Sequence, residues 1–331
     1  MKLELPEKKQ GKNGEEPSVA VIVLSWNSAS LLQICLVSLR QKTSYTNYHL
    51  VVVDNGSVDD SVSWISKMFP WVEVVALDKN YGFSIGNNKG IAYALKKFNP
   101  KYVLLLNNDT EIIESDWLSR MVEVVEKYEQ IGILGCELVY SDGRIQYIGT
   151  KLEEKGLTWL KPQNYPKLPA LYDVDCVLGA CFLIKRSVID KIGGLDEGFS
   201  PFGHEESDFC LRARRAGYQI CMLSTVKVVH QNRASMKIVN KEYIRNVERQ
   251  NVIRFMLLNF PVSWVVKRLP YESIIRPFVV RNQKGSFPVK LRSGQNILME
   301  VKTNLNAWIH TFHNLYEILV KRKNREKRLP L

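Results

Sequence analysis

The chain has 331 residues, 45% hydrophobic and 24% charged, the balance of a folded protein and too many residues for one ordinary core. Its net charge of +12 is lopsided: residues 241–331 carry 18 Lys/Arg against 6 Asp/Glu, whereas residues 1–240 carry 28 of each sign. Six cysteines form no C-x-x-C pair and no zinc-like spacing, which argues against a zinc site and suits a reducing compartment.

Residues 1–17 are a polar, Lys- and Glu-rich leader without the apolar core of a signal peptide, and are predicted to be disordered. Residues 19–24 read as a buried strand, followed by Ser25-Trp26-Asn27-Ser28 and a helix over about 30–41. A second strand over 50–53 ends in Asp54-Asn55-Gly56-Ser57, and Asp59 and Asp60 offer N-caps for a helix through Met68. A third strand over 72–77 leads to Asn80-Tyr81-Gly82-Phe83-Ser84-Ile85-Gly86-Asn87-Asn88 and a helix ending near Lys97. The fourth strand, 102–106, is an unbroken apolar run that stops at Asn107-Asn108-Asp109. This rhythm predicts an α/β, Rossmann-like, doubly wound and mostly parallel sheet with a small antiparallel part.

Further on, a helix over 116–128 and a strand over 131–140 precede the Asp142-Gly143 turn, and residues 144–150 are expected to pair back. Residues 151–170, with three prolines and Trp159, read as an irregular substrate loop. A strand pattern over 174–185 is interrupted at Gly179-Ala180. Glu205, Glu206 and Asp208 then precede a helix over 209–216 that Gly217 closes, and two short strands, 218–223 and 226–230, finish the catalytic part. From 241 onward basic helices take over. Leu305, Trp308, Ile309, Phe312, Leu315, Tyr316 and Leu319 share one stripe, and a cluster of Lys and Arg occupies 321–328. The uncharged run 255–266 is too short to span a bilayer.

Four strand ends carry polar clusters on one predicted sheet edge: Ser25/Asn27, Asp54/Asn55, Asn80–Asn87 and Asn107–Asp109. Each alone is ordinary turn chemistry. Converging on the crevice where open α/β sheets bind ligands, they fit a nucleotide, with a hard cation at Asp109 against a diphosphate. Neither G-x-G-x-x-G nor a Lys-bearing P-loop is present, which disfavours dinucleotide and phosphate-cradle readings. Crowded carboxylates at 205–208 suit a general base, Glu206 first and Glu205 second, while Asp208 reads better as a helix-start residue. His230, closing a strand, is either structural or the missing ligand of the acidic metal site; the second reading is preferred.

In order, Val-Ile-Val-Leu-Ser-Trp-Asn, Val-Val-Asp-Asn-Gly-Ser, Asn-Tyr-Gly-Phe-Ser-Ile-Gly-Asn-Asn, Leu-Leu-Asn-Asn-Asp-Thr, Gly-Ala-Cys-Phe-Leu-Ile-Lys-Arg and Glu-Glu-Ser-Asp-Phe-Cys-Leu-Arg-Ala span about 19–235. Together they resemble inverting glycosyltransferase family 2, most of all its rhamnosyltransferase-like branch. The resemblance implies a GT-A catalytic domain over 18–240, with a nucleotide-sugar half over about 18–110, an acceptor half over about 111–240, and a basic helical region over 241–331. It implies Mg²⁺ or Mn²⁺ at Asp109 and His230, and a nucleotide-diphosphate sugar among Ser25, Asn27, Asp54, Asn55, Asn80, Gly82, Asn87, Asn107, Asn108 and Asp109. It also implies an acceptor against Gly179, Ala180, Glu205 and Trp159. Asn107 stands where the family's metal motif has its first acid, and Glu206 where its base is an Asp. The Q-x-x-R-W motif of processive members is only approached by Gln250, Arg254 and Phe255, one residue too long, which implies single addition.

The expected acceptor is a glycan or a lipid-linked glycan of cell-envelope polysaccharide biosynthesis. Residues 305–328 either cap the domain or attach it to an anionic membrane surface, which would make a cytoplasmic protein peripheral on the inner face of the cell membrane. No nucleic-acid motif accompanies the charge. Two rival functions stand beside this one: a sugar nucleotidyltransferase, whose Gly-rich basic loop residues 25–28 lack, and a catalytically silent sugar-binding module.

Overall fold

The computed structural model describes residues 16–153, 156–165, 167–231, 240–275, 278–280, 290–291 and 294–328. Most of the expected leader, residues 1–15, lies outside the described residues. Its last two are held: the Glu16 carboxylate accepts from the backbone N–H of Thr46 at 2.8 Å, and the Tyr45 hydroxyl donates to the Pro17 carbonyl. The chain divides into two compact units, one of Met1–Ser200 and Glu205–Lys237, the other of Pro201–His204 and Ile238–Leu331.

In the first unit the opening run is β1 (Val19–Ser25), α1 (Ala29–Lys42), β2 (Tyr48–Asp54), α2 (Ser61–Met68), β3 (Glu73–Ala76), α3 (Gly82–Phe98) and β4 (Tyr102–Asn107). β1 pairs in parallel with both β2 and β4, and β2 with β3. Residues 19–23 of β1 are wholly buried, which is why this strand reads as continuous rather than alternating hydrophobicity. α3 begins at Gly82, so the Gly and Asn residues read as a loop form its first turns. Glycines let it lie close on the sheet: a Cβ at Gly86 would sit 2.5 Å from Leu24 Cδ1, and one at Gly90 2.7 Å from both Ile22 and Val53. The close approach at Gly86 is therefore to the sheet.

The run continues with β5 (Thr110–Ile112), α4 (Trp117–Lys127), β6 (Ile131–Val139), β7 (Ile145–Tyr147), β8 (Thr150–Glu153), β9 (Gly156–Trp159), β10 (Leu171–Asp173), β11 (Cys181–Lys185), α5 (Arg186–Ile192), α6 (Glu205–Arg215) and β12 (Gln219–His230). The main sheet has the order β10-β12-β6-β11-β4-β1-β2-β3, with β5 on β12 and β7 on β6. β11 is antiparallel to β4 and β6, and β12 is parallel to β6. The C-terminal ends of β1–β4 and β12 therefore share one edge with the N-terminal end of β11.

Several expectations need correction. Residues 150–153 and 156–159 pair as the antiparallel strands β8 and β9, where an irregular loop was expected over 151–170; these charged, half-exposed strands carry no alternation to read. The strand expected over 174–185 is confined to Cys181–Lys185, and α5, which follows directly, was not foreseen. The two short final strands are one strand, β12, with an irregularity between Leu223 and Lys227. The acidic trio lies inside the first turn of α6 rather than before it. All six cysteines are buried and free.

The second unit contains α7 (Lys241–Asn259), α8 (Val262–Pro270), α9 (Gly294–His313) and α10 (Leu315–Arg328). Within it, Arg249 of α7 lies 3.3 Å from Glu272 and 3.4 Å from Glu300 of α9, and Arg254 takes Glu317 of α10 with two bonds of 2.8 and 2.9 Å. Arg254 holds the Glu317 carboxyl down at about 2. The stripe read as one helix is broken at Asn314, whose side chain donates to the His310 carbonyl at 2.8 Å. Among the described residues, no helix is long and apolar enough to cross a membrane.

Candidate active site

β4 delivers Asn107, Asn108 and Asp109 to the shared edge, and β12 delivers His230 beside them: Thr110 pairs with His230, and the Gln231 N–H donates to the Asp109 carbonyl at 3.0 Å. The register brings His230 Nε2 to 3.3 Å from Asp109 Oδ1 and 3.4 Å from Asn107 Nδ2, with Asp109 and His230 both buried. Gln146, on β7, grips His230 from behind. Its Nε2 donates to the His230 carbonyl at 3.1 Å, which leaves its Oε1 facing Nδ1 at 2.7 Å. An amide oxygen only accepts, so this network puts the ring proton on Nδ1 and the lone pair on Nε2. Asp109 Oδ1 and His230 Nε2 are then two acceptors facing one another, an arrangement that a second ring proton or a shared cation makes favourable.

Ser25 and Asn108 meet across β1 and β4, the amide donating to the hydroxyl at 3.1 Å. Asp54, 3% exposed, accepts from Ser57 N–H through Oδ2 at 3.1 Å; its Oδ1 is buried with no hydrogen-bond partner. Gly56 permits that turn: its φ is +72°, and a Cβ would meet the Lys79 backbone at 2.4 Å. Asn55 braces the start of α3, donating to Asn80 Oδ1 at 3.0 Å and the Gly82 carbonyl at 3.2 Å, and accepting from Tyr81 N–H at 2.9 Å. Asn27 ties the β1–α1 loop to the β2–α2 loop by accepting from Val58 N–H at 2.8 Å, and Asn87 is turned to the Phe83 carbonyl at 3.0 Å. Asn27, Asn55 and Asn87 are thus engaged in shaping backbone, whereas Asp54 and Asp109 present oxygen.

Glu206 reaches the same edge from the start of α6. Its Oε1 accepts from Gly179 N–H at 3.1 Å, and the Ala180 carbonyl accepts from Asn107 N–H at 3.2 Å. A continuous chain of contacts therefore runs from Glu206 through Gly179-Ala180 and Asn107 to His230. Burial raises the Glu206 carboxyl above its ordinary 4.5. Glu205 is more deeply enclosed, at 3% exposure. Asp208 is fully buried and takes the Arg212 guanidinium at 2.8 Å, while Arg212 also donates to the carbonyls of Ile192 and Gly194. Trp159 is half exposed and packs edge-on against Tyr147 at 5.2 Å, whose hydroxyl donates to the Cys176 carbonyl at 3.0 Å.

Two residues were missed in the sequence. Gln146 left no motif, only a polar position between Ile145 and Tyr147 in a short strand. Phe83 was read as part of a loop, yet its ring tip, with Glu206, fills the space where a Gly179 Cβ would go, 2.9 and 2.5 Å away respectively.

A divalent cation fits this donor set. Among the described residues no three His, Cys, Asp or Glu gather as a cage, but a cation that keeps waters and substrate phosphates needs only one or two protein ligands. Asp109 and His230, the latter with its other nitrogen anchored by Gln146, are the two that would hold it.

A family model for glycosyl transferase family 2 matches residues 20–193. The chain belongs to that family. A second model, for an N-terminal domain of galactosyltransferase, matches residues 165–235. The uncharacterized protein y4gI of Sinorhizobium fredii is 31% identical over 66% of this chain, which spans only 25% of that protein. The dTDP-rhamnosyl transferase RfbF of Shigella flexneri is 23% identical over 80% of this chain and 89% of its own length, in keeping with the rhamnosyltransferase-like branch of the family. Among solved structures, the mannosyltransferase PcManGT from Pyrobaculum calidifontis, in complex with GDP-Man and Mn²⁺, superposes with a TM-score of 0.54 at 15% identity. The match covers 93% of this chain and 79% of that one. The fold is GT-A.

Proposed function

We propose that this family 2 chain is an inverting transferase that moves one sugar, rhamnose or another hexose, from a nucleotide-diphosphate donor to a hydroxyl of a glycan or lipid-linked acceptor. The observation that carries the reading is the buried pair of acceptors, Asp109 Oδ1 and His230 Nε2, 3.3 Å apart on the edge that Glu206 also reaches. Asp54, with a buried oxygen still able to accept, suits a donor group of the nucleotide. Ser25 and Asn108 suit the ribose and diphosphate side, and Asn80 and Gly82 the turn beside it.

In the reaction, Glu206 takes the proton of the acceptor hydroxyl while its oxygen attacks the anomeric carbon from the face opposite the nucleotide. The bond from that carbon to the diphosphate oxygen breaks, the electron pair leaves with the nucleoside diphosphate, and configuration inverts. Mg²⁺ or Mn²⁺ bound by Asp109 and His230 would supply charge neutralisation on the leaving diphosphate. Gly179, Ala180, Glu205 and the exposed face of Trp159 are proposed to line the acceptor side. The relation of Gln250 to Arg254 favours single addition, and Arg254 is already engaged with Glu317.

Assaying the full chain against a panel of nucleotide sugars with Mn²⁺ tests this. Asp109→Ala should bind Mn²⁺ weakly and lose turnover while its melting temperature stays near that of the parent. Normal turnover in that variant overturns the metal assignment. Product of retained anomeric configuration overturns the mechanism.

A further inference from the structure

In the second unit α9 and α10 leave a long apolar stripe exposed. The buried side of α9 is mostly polar: Glu300, Thr303, Asn304 and Thr311 are buried around Ala307, with Glu300 against Arg249 at 3.4 Å, and α10 buries Ile318 while Glu317 reaches Arg254. The opposite stripe is apolar and open, with Leu298, Leu305, Ile309, Phe312, Tyr316 and Leu319 all exposed, Leu298 by 73% and Tyr316 by 83%. Steps of three and four residues keep them on one face across the Asn314 break. A helix solvated on its outer side places its residues the other way round.

Charge identifies what covers that stripe. No carboxylate lies on it, because Glu300 is turned to Arg249 and Glu317 to Arg254. The next step beyond Leu319 is the exposed Lys323, and six of the eight residues from Lys321 to Arg328 are Lys or Arg. A second copy of this chain laid along the stripe offers that basic end no counter-charge, because its own stripe carries no carboxylate. An anionic headgroup layer neutralises them and takes the aromatic and aliphatic side chains at its acyl boundary. We propose that this face of α9 and α10 docks in-plane on an anionic lipid surface, extending the membrane-facing stretch read in the sequence back to Leu298. The inference does not depend on the sugar-transfer reading.

The test is sedimentation of the full chain with vesicles of phosphatidylcholine plus phosphatidylglycerol, and of phosphatidylcholine alone. The parent should bind the anionic vesicles preferentially and lose binding as salt screens the charges. The variant Leu305→Ser/Ile309→Ser/Phe312→Ser should bind about tenfold or more weakly while transfer to a water-soluble acceptor is unchanged. Because these side chains are exposed, its circular dichroism should match the parent; if it does not, Phe312→Ser alone should still weaken binding measurably. Equal binding by parent and variants, or no preference for anionic vesicles, overturns the proposal. So does a concentration-dependent dimer that the variant abolishes in the absence of vesicle binding.

Discussion

Gln146 and His230 hold each other twice, side chain to ring at 2.7 Å and side chain to carbonyl at 3.1 Å, and this double contact decides which ring nitrogen faces Asp109. Partners that fix the tautomer of a ligating histidine typically contribute 10–100-fold in metal affinity. Gln146→Leu keeps the bulk and removes both bonds. We expect its Mn²⁺ dissociation constant, measured by electron paramagnetic resonance titration, to rise by about that factor. Unchanged affinity would show that His230 needs no such support.

Glu206 and Glu205 separate by substitution. Since burial raises the Glu206 carboxyl, the acid limb of kcat/KM should lie above the ordinary carboxylate value of 4.5. Glu206→Gln should lose roughly 10²–10⁴-fold in transfer while still binding donor. The sign on stability is opposite to that of a salt-bridged acid. A raised folded value means the folded state holds the proton more tightly, so stability falls as pH rises from 4.5 through the folded value. Glu206→Gln should therefore raise the melting temperature at neutral pH and change it little below 4.5. Loss of transfer in Glu205→Gln alone would exchange the two roles.

Gly179 is a steric test of the same carboxylate. Its backbone would accept alanine, but the added Cβ would lie 2.5 Å from Glu206 Oε1 and 2.9 Å from Phe83 Cζ. Gly179→Ala should push the carboxylate aside and cost about 10²-fold in kcat, for a stability loss of about 1–3 kcal/mol. Chemical denaturation alongside the kinetics separates the two effects, and a variant with parental kcat would place the reacting carboxylate elsewhere.

Arg212 joins α6 to the 192–194 turn and neutralises Asp208, which is fully buried. Arg212→Ala removes that ion pair and both carbonyl contacts, and should destabilise the chain by about 3–5 kcal/mol in urea unfolding. A loss under 1 kcal/mol would mean that water or another group reaches Asp208.

Much of the first unit was legible because β1, β2 and β4 are buried on both faces, leaving unbroken apolar runs that end abruptly at Ser25, Asp54 and Asn107. Glu205 to Asp208 announced themselves as chemistry by crowding alone. The sequence could not show that these residues sit inside α6, because a helix start tolerates acids as readily as a loop does. The β8–β9 ribbon stayed hidden because exposed strands have no buried face to impose a period.

What the sequence by itself determined is the alternation of strand and helix up to Asp109, the mostly parallel sheet it implies, and the residue types at the strand ends, since strand-end chemistry is local. What only the tertiary structure decided is partnership. His230 meets Asp109 through the β5–β12 register, and Gln146 reaches His230 across 84 positions. Neither spacing leaves a trace along the chain. The stripe at 305–319 shows the same division. Its periodicity was readable, but which side of the helix faces inward was not, because Glu300 and Glu317 find their partners Arg249 and Arg254 at separations of 51 and 63 positions.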